Sequence, residues 1–248
     1  MAPTAVTRIT HSCHLVEIGG RTFLTDPWFS TKPGYYPGEP VAIDIADLPT
    51  LDAVLISHAH YDHCDLATFA AYRDRSVPIF ASSTVVDAAR QHGFTDVTGL
   101  EPWNAVDVGG VTITATPAKH GVPEVTFVLR AGSDAVYFAG DTLYIPELDE
   151  IPERLGHINL ALLPTNGLQI RPANDRQVVM NAEQAAQLTG VLRPELAVPH
   201  HYAFTSGWLG DRIVTRTDRD PQHYQDAVGR LARDTTVRIV ESGARVEL

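Results

Sequence analysis

The first part of the chain is written in short apolar and β-branched runs, Val6–Ile9, Cys13–Ile18 and Arg21–Thr25, with Gly19-Gly20 between the last two. Such runs joined by paired glycines predict an antiparallel meander with a hairpin turn. From Asp52 the pattern changes. Ala53–Ile56 reads as a buried strand, a helix is expected near Leu66–Tyr72, Ile79-Phe80 as a short strand and Thr84–Gln91 as a helix. A second β block follows at Val111–Thr116, Val125–Leu129 and Ala135–Ala139. Then come helices near Pro146–Leu155 and Ala182–Val191, a strand at Leu196–Pro199, a helix over Pro221–Arg233 and closing strands at Val237–Val240 and Ala244–Glu247. β blocks in both halves with interleaved helices predict two packed sheets with helices outside. Two long loops, Trp28–Leu48 and Thr165–Met180, are rich in Pro, Gly, Asn or Asp and read as lids, binding walls or disordered segments.

Composition narrows this picture. At 248 residues, 44% hydrophobic and 20% charged, the chain can bury a full-sized core, and we read residues 1–248 as one domain. The net charge of −11, with 19 Lys+Arg and no basic run, argues against a nucleic-acid partner. Cys13 and Cys64 are too few for a disulfide framework and suit a reducing compartment. The start Met1-Ala2-Pro3-Thr4 has no basic or apolar leader pattern, and no uncharged apolar stretch approaches the ~20 residues that span a bilayer. The expectation is a cytoplasmic protein without an integral membrane segment, acting on a small molecule, with homo-oligomerisation left open.

The chemistry concentrates in Ser57-His58-Ala59-His60-Tyr61-Asp62-His63, directly after the run Ala53–Ile56. Loops at strand ends are where α/β proteins usually keep their reactive groups. His58 and His60, two apart in extended chain, can point the same way, while Asp62 and His63 lie past the bend and can face a second point. This suits two adjacent metal ions better than one, with imidazole and carboxylate as ligands. Other strand ends supply further candidates: His120 after Val111–Thr116, Asp141 after Ala135–Ala139, and His200-His201 after Leu196–Pro199.

His58-Ala59-His60-Tyr61-Asp62-His63, followed by His120, Gly140-Asp141-Thr142 and a late His, resembles the H-x-H-x-D-H signature and ligand order of the metallo-β-lactamase superfamily. More narrowly, Leu24-Thr25-Asp26-Pro27-Trp28-Phe29-Ser30, Phe138-Ala139-Gly140-Asp141-Thr142 and Leu162-Leu163-Pro164 resemble the branch holding ascorbate-6-phosphate lactonase and N-acyl-phosphatidylethanolamine phospholipase D. The chain departs from the phospholipase pattern at Val179-Met180 and Tyr202-Ala203, which argues against a lipid phosphodiester. The resemblance implies an αββα sandwich of two mixed β-sheets flanked by helices. It implies one divalent ion on His58, His60 and His120, a second on Asp62, His63 and His201, and Asp141 bridging both. Zn2+ ranks ahead of Mn2+ or Fe2+. The activity implied is hydrolysis of an ester, lactone or phosphoester by a metal-bridging hydroxide, with Asp62 and Asp141 catalytic. Two divalent ions against Asp62, Asp141 and the hydroxide leave about one positive charge, which suits an anionic substrate.

Other residues are assigned by context. Asp26 is either a carboxylate behind the metal loop or a turn cap. His11, Cys13 and His14, taken as part of one β run, read as pocket-wall or packing residues rather than a third metal site, and His92, His157 and His223 as surface residues. Asn166, Arg171, His200 and Tyr202 are substrate-binding candidates, with Trp208 nearby: Arg171 for an anionic group, Tyr202 or Asn166 for a developing oxyanion. Of His200 and His201 only one should reach an ion, and the aromatic residue after it favours His201. Three readings compete with the hydrolase. An iron-dependent oxidoreductase on the same fold would not need Asp62 and the full ligand set, a transfer-RNA-processing nuclease conflicts with the acidic balance, and a non-catalytic scaffold conflicts with so complete a ligand set.

Overall fold

The computed structural model describes residues 3–248; Met1 and Ala2, the start of the stretch read above for a leader, lie outside the described residues. Strands β1 (Ala5–Thr10), β2 (Cys13–Ile18) and β3 (Arg21–Thr25) form the expected meander. The β2–β3 turn uses Gly19 and Gly20 at φ of 59° and 74°, and a Cβ on Gly19 would come within 2.7 Å of the Ala131 Cβ. β4 (Ala53–Ile56), β5 (Ile79–Ser82) and β6 (Val97–Leu100) add in parallel beside β3, through helices α1 (Leu66–Phe69) and α2 (Val86–Gln91). The second sheet begins with antiparallel β7 (Ala105–Val108), β8 (Val111–Thr116), β9 (Thr126–Ala131) and β10 (Asp134–Phe138). After α3 (Ile151–Leu155), β11 (Leu160–Pro164) lies parallel to β10.

The segment read as the loop Thr165–Met180 carries two strands, β12 (Leu168–Ile170) and β13 (Arg176–Gln177). α4 (Ala182–Leu192) then starts at a capping box, in which the Asn181 side chain accepts from Gln184 N and Gln184 bonds back to Asn181 N. β14 (Leu196–His200) joins β11, and after α5 (Gly207–Gly210), β15 (Val214–Arg216) closes a small third sheet with β12. α6 (Gln222–Leu231) leads to β16 (Thr236–Val237), which is shorter than the Val237–Val240 strand expected, and β17 (Arg245–Glu247) pairs back on β1. The two main sheets have the orders β17-β1-β2-β3-β4-β5-β6 and β16-β14-β11-β10-β9-β8-β7, and both are mixed.

Alternation inside the apolar runs builds four layers. In β4, Ala53 and Leu55 face the second sheet, where Phe127, Phe138 and Leu162 meet them, while Val54 and Ile56 face Leu66, Phe69 and Phe94. In β10, Val136 and Phe138 turn inward and Tyr137 turns out to α4 and α6, against Ala185, Leu188 and Tyr224. This is an αββα sandwich, as the sequence order and resemblance led us to expect. β6 and β7 escaped the sequence reading because each exposes polar residues and sits at a sheet edge; the buried central strand β11 and the short β15 were not read from the sequence either.

Candidate metal centre

Five strand ends meet at one rim: those of β1, β4, β8, β10 and β14. The β4 loop is held from below by Asp26, whose carboxylate accepts from Ser57 N (2.7 Å), Ser57 Oγ (2.7 Å) and His63 Nδ1 (2.6 Å). Asp26 is fully buried at φ 35°, and of its two sequence readings it takes that of the carboxylate that orients a ring of the loop. At the end of β10, Gly140 has φ 50°, and a Cβ there would stand 2.9 Å from the Ser57 Cβ and against the Glu124 carboxylate. Only glycine lets the chain pass this point and turn Asp141 into the rim, where its N–H donates to Glu124 Oε1 at 2.7 Å.

His58, His60 and His120 form a first donor set. His60 Nδ1 lies 3.0 Å from both His58 Nε2 and His120 Nε2. The outer nitrogens are engaged, His58 Nδ1 with Ser57 Oγ at 2.9 Å and His120 Nδ1 with Val178 O at 2.7 Å. Burial, reinforced by His63 and His120, holds His58 well below the ordinary imidazole range. Burial lowers His60 and His120 as well, against the pull of Asp62 and Asp141 respectively. Three neutral imidazoles aimed at one point present mutually repelling lone pairs, which a cation would satisfy.

Asp62, His63, His201 and Asp141 form a second set. Asp141 Oδ2 lies 2.9 Å from His201 Nε2 and 3.2 Å from His63 Nε2, and Asp62 Oδ2 lies 3.8–3.9 Å from the same two atoms. Asp141 Oδ1 has no hydrogen-bond partner among the described residues. Burial pushes both carboxyls up, but His201 and His63 outweigh it at Asp141, and His63 and His11 at Asp62, so both fall below the usual carboxylate range. Burial disfavours the cation on His63, yet Asp141, Asp62 and Asp26 together raise it well above its ordinary value. The His58 and His63 rings are 4.3 Å apart, so the two sets adjoin. Each set draws on both sheets, through the β4 loop of one and the ends of β8, β10 and β14 of the other.

A cavity of about 440 Å³ opens on the two sets. His60, Asp62, His120 and Asp141 form its polar floor, and Tyr35, Leu168, Ile170, Val178, Phe204, Ile213 and Val214 its walls; among the described residues neither Lys nor Arg lines it.

The substrate-binding candidates fall elsewhere. Arg171 opens a 3-10 turn after β12 and points to solvent, its side chain 62% exposed and 3.9 Å from Asp175. Asn166 is buried behind His201, its amide 2.7 Å from His201 Nδ1 and donating to His201 O at 2.8 Å, so it anchors that ring and does not face the cavity. Tyr202 donates no group to the cavity; its hydroxyl accepts from Arg8 at 2.7 Å, and the guanidinium lies over its ring. His200 is fully buried on the far side of the strand end, its Nδ1 2.9 Å from Ser12 Oγ and its ring stacked on Phe138. His200 is the last residue of β14 and His201 follows it at φ 67°, so the two rings leave the chain in different directions. Trp208 is 71% exposed, with Arg212 over its ring.

Two groups at the rim were not assigned there from the sequence. Glu124 is buried between Asp141 N and His58 Nδ1 (3.3 Å), and burial together with Asp141 raises it well above its ordinary value. His11 stands at the β1–β2 turn at φ 50°, which ends the β alternation assumed for it, and its Nε2 is 3.4 Å from Asp62 Oδ2. Its partner in that grouping, His14, points into the protein, with Nδ1 3.0 Å from Ser12 O. Cys13 is buried in the core.

Burial, and then Arg8, push His14 down to about 3. A lowered imidazole makes the folded state bind fewer protons than the unfolded chain, so its contribution is complete above pH 6.5 and is lost as pH falls toward 3. His14 alone is expected to remove about 2 kcal/mol between pH 7 and pH 5. Denaturant unfolding of chelator-treated protein at the two pH values checks this: His14→Gln should lose that much of the wild-type pH dependence, and an identical dependence would refute it.

Residues 21–202 match the family model of the Beta-lactamase superfamily domain. A UPF0173 metal-dependent hydrolase of Ignicoccus hospitalis is 32% identical over 255 residues, covering 99% of this chain and 98% of that protein. The chain belongs to the UPF0173 metal-dependent hydrolases of the metallo-β-lactamase superfamily. A UPF0173 metal-dependent hydrolase of Deinococcus radiodurans is 28% identical over 247 residues, 96% of each chain. The structure of Igni18, a novel metallo hydrolase from Ignicoccus hospitalis, superposes with a TM-score of 0.76 at 28% identity, covering 99% of this chain and 98% of that one. Membership in this family agrees with the donor sets described above. Among the described residues no helix is long and apolar enough to cross a membrane.

Proposed function

We propose that the protein is a two-metal hydrolase that cleaves an ester or lactone bond in a small substrate whose body is apolar. The observation that carries this reading is the meeting of both donor sets at the floor of one apolar-walled cavity. In this reading His58, His60 and His120 would hold one divalent ion and Asp62, His63 and His201 a second, and Asp141, whose Oδ1 has no hydrogen-bond partner among the described residues, would serve both. When bound, such a pair supplies Lewis acidity and an activated water at neutral pH.

The chain's own residues set the rest. Asp26 and Asn166 fix the rings of His63 and His201, and Val178 O fixes His120. Asp62 is the cavity carboxylate to which we assign the proton transfer to the leaving group. Leu168, Ile170, Val178, Phe204 and Val214 exclude water and take up an aliphatic or aromatic group. The charge count favoured an anionic substrate, but the walls offer no cation and Arg171 lies outside them. We therefore favour a carboxylic ester or lactone over a phosphoester, whose extra charge would find no partner beyond the metal sites. Zn2+ suits these imidazole-rich sets best, ahead of Mn2+ or Fe2+.

The test is metal analysis of Zn2+-saturated protein followed by assays on acyl esters of increasing chain length, lactones and phosphodiesters. Expected are about two ions per chain, kcat/KM that grows with acyl length, and activity that rises with pH through an apparent pKa on the order of 6–8. One ion at saturation, a flat profile from pH 5 to 9, or turnover confined to phosphodiesters would each contradict it.

A further inference from the structure

We propose that His11 is a ligand of the ion held by Asp62, His63 and His201, completing that set from the hairpin turn between β1 and β2. The inference rests on the two-metal reading and extends it to a residue outside the ligand order of the sequence.

His11 is fully buried; among the described residues its Nδ1 has no hydrogen-bond partner, and its Nε2 meets only the Asp62 carboxylate, at 3.4 Å. Buried polar atoms left in this state cost about 1–3 kcal/mol each, so a ring kept only for packing would be better as Leu or Phe. Its backbone is also in the left-handed region, at φ 50°, which is uncommon for any residue with a Cβ. The position is nonetheless held tightly: His11 N donates to Glu39 Oε1 at 2.6 Å, and the same oxygen accepts from the buried Arg8 at 2.7 Å. The ring is wedged edge-on to Trp28 (4.8 Å) and against His201 (4.1 Å) and Phe204 (5.6 Å). This packing fixes its direction in place of the hydrogen bond that most ligating imidazoles make through their other nitrogen.

That direction is toward the second donor set. Nε2 lies 3.4 Å from Asp62 Oδ2, and one donor atom from each of His11, Asp62, His63 and His201 falls within a 4.8 Å circle of mutual distances. Two neighbouring atoms that ligate one ion at about 2.0–2.2 Å with an angle of about 90–110° are about 2.8–3.6 Å apart, a range that includes the His11–Asp62 separation. An uncommon backbone conformation, a rigid clamp and a buried ring nitrogen facing a carboxylate of the second set have one explanation in common, a cation between them.

The test uses His11→Gly in the full chain, since glycine relieves the left-handed backbone and leaves a hole that free imidazole can enter. Zn2+ affinity is measured by chelator competition on wild type and variant, and His11 is located in a crystal structure of the Zn2+-loaded wild type. The expected results are a second-ion affinity weakened about tenfold or more, a first-ion affinity unchanged, partial recovery on adding imidazole, and His11 Nε2 about 2.0–2.1 Å from the second ion. Two ions bound with unchanged affinities in the variant, or His11 Nε2 out of bonding range, overturn the proposal while the two-metal reading stands. A wild type that binds only the ion of His58, His60 and His120 overturns both.

Discussion

Replacing His201 with alanine is expected to leave the protein with one bound ion and no measurable turnover, while His200→Ala keeps both ions and turns over within a few-fold of wild type. The neighbours of each ring decide this. His201 Nε2 faces Asp141 at 2.9 Å from the cavity side, so its loss takes a donor from the second set and leaves two buried carboxylates against His63 and His11. His200 touches Ser12, His14 and Phe138 instead, and its removal opens a hole in the interior that costs about 2 kcal/mol of stability without reaching the cavity. His201 has φ 67°, which alanine tolerates poorly, so His201→Asn serves as the folding control. Metal content by mass spectrometry, with a thermal melt for each variant, reads the outcome. Ion loss in His200→Ala but not in His201→Ala would reverse the assignment.

Stripping the metals is expected to lower the Tm on the order of 10 °C and to abolish turnover, with both restored by Zn2+. Binding confined to the folded state at about 1,000 times Kd contributes about 4 kcal/mol, and each kcal/mol moves the Tm of a chain this long by about 2–4 °C. Without ions, the three imidazoles around His60 face one another, and Asp141 and Asp62 depend on His63, His201 and His11 for compensation. Scanning fluorimetry with and without chelator reads this directly. A melt that chelator does not move, in protein verified to have lost its metal, would mean that the folded and unfolded chains hold the ions equally well.

The layers of the fold could be read because its inner strands are continuous apolar runs whose alternate residues face two different cores, as in Ala53–Ile56 and Ala135–Phe138. The histidine loop was equally legible, since four donor residues after one buried strand have few other uses. His11 was not. Its role depends on a two-residue turn that ends the β alternation, and no local pattern announces a histidine taking a left-handed turn position. Glu124 was missed because its importance comes from Gly140, sixteen residues later, which brings Asp141 N onto its carboxylate. Arg171 and Tyr202 were expected at the cavity from their nearness in sequence to the rim, whereas a 3-10 turn carries the first outward and Arg8 holds the second.

Both donor sets take ligands from both sheets. An ion bound at either set would therefore cross-link the two halves of the sandwich. A chain with only the first sheet formed would offer His58 and His60 to the first set and His11, Asp62 and His63 to the second, each short of the donors that the second sheet brings, His120, Asp141 and His201. In the two-metal reading, tight loading would await docking of the second sheet, which would make metal acquisition a late event and a built-in proof that the halves have assembled in register.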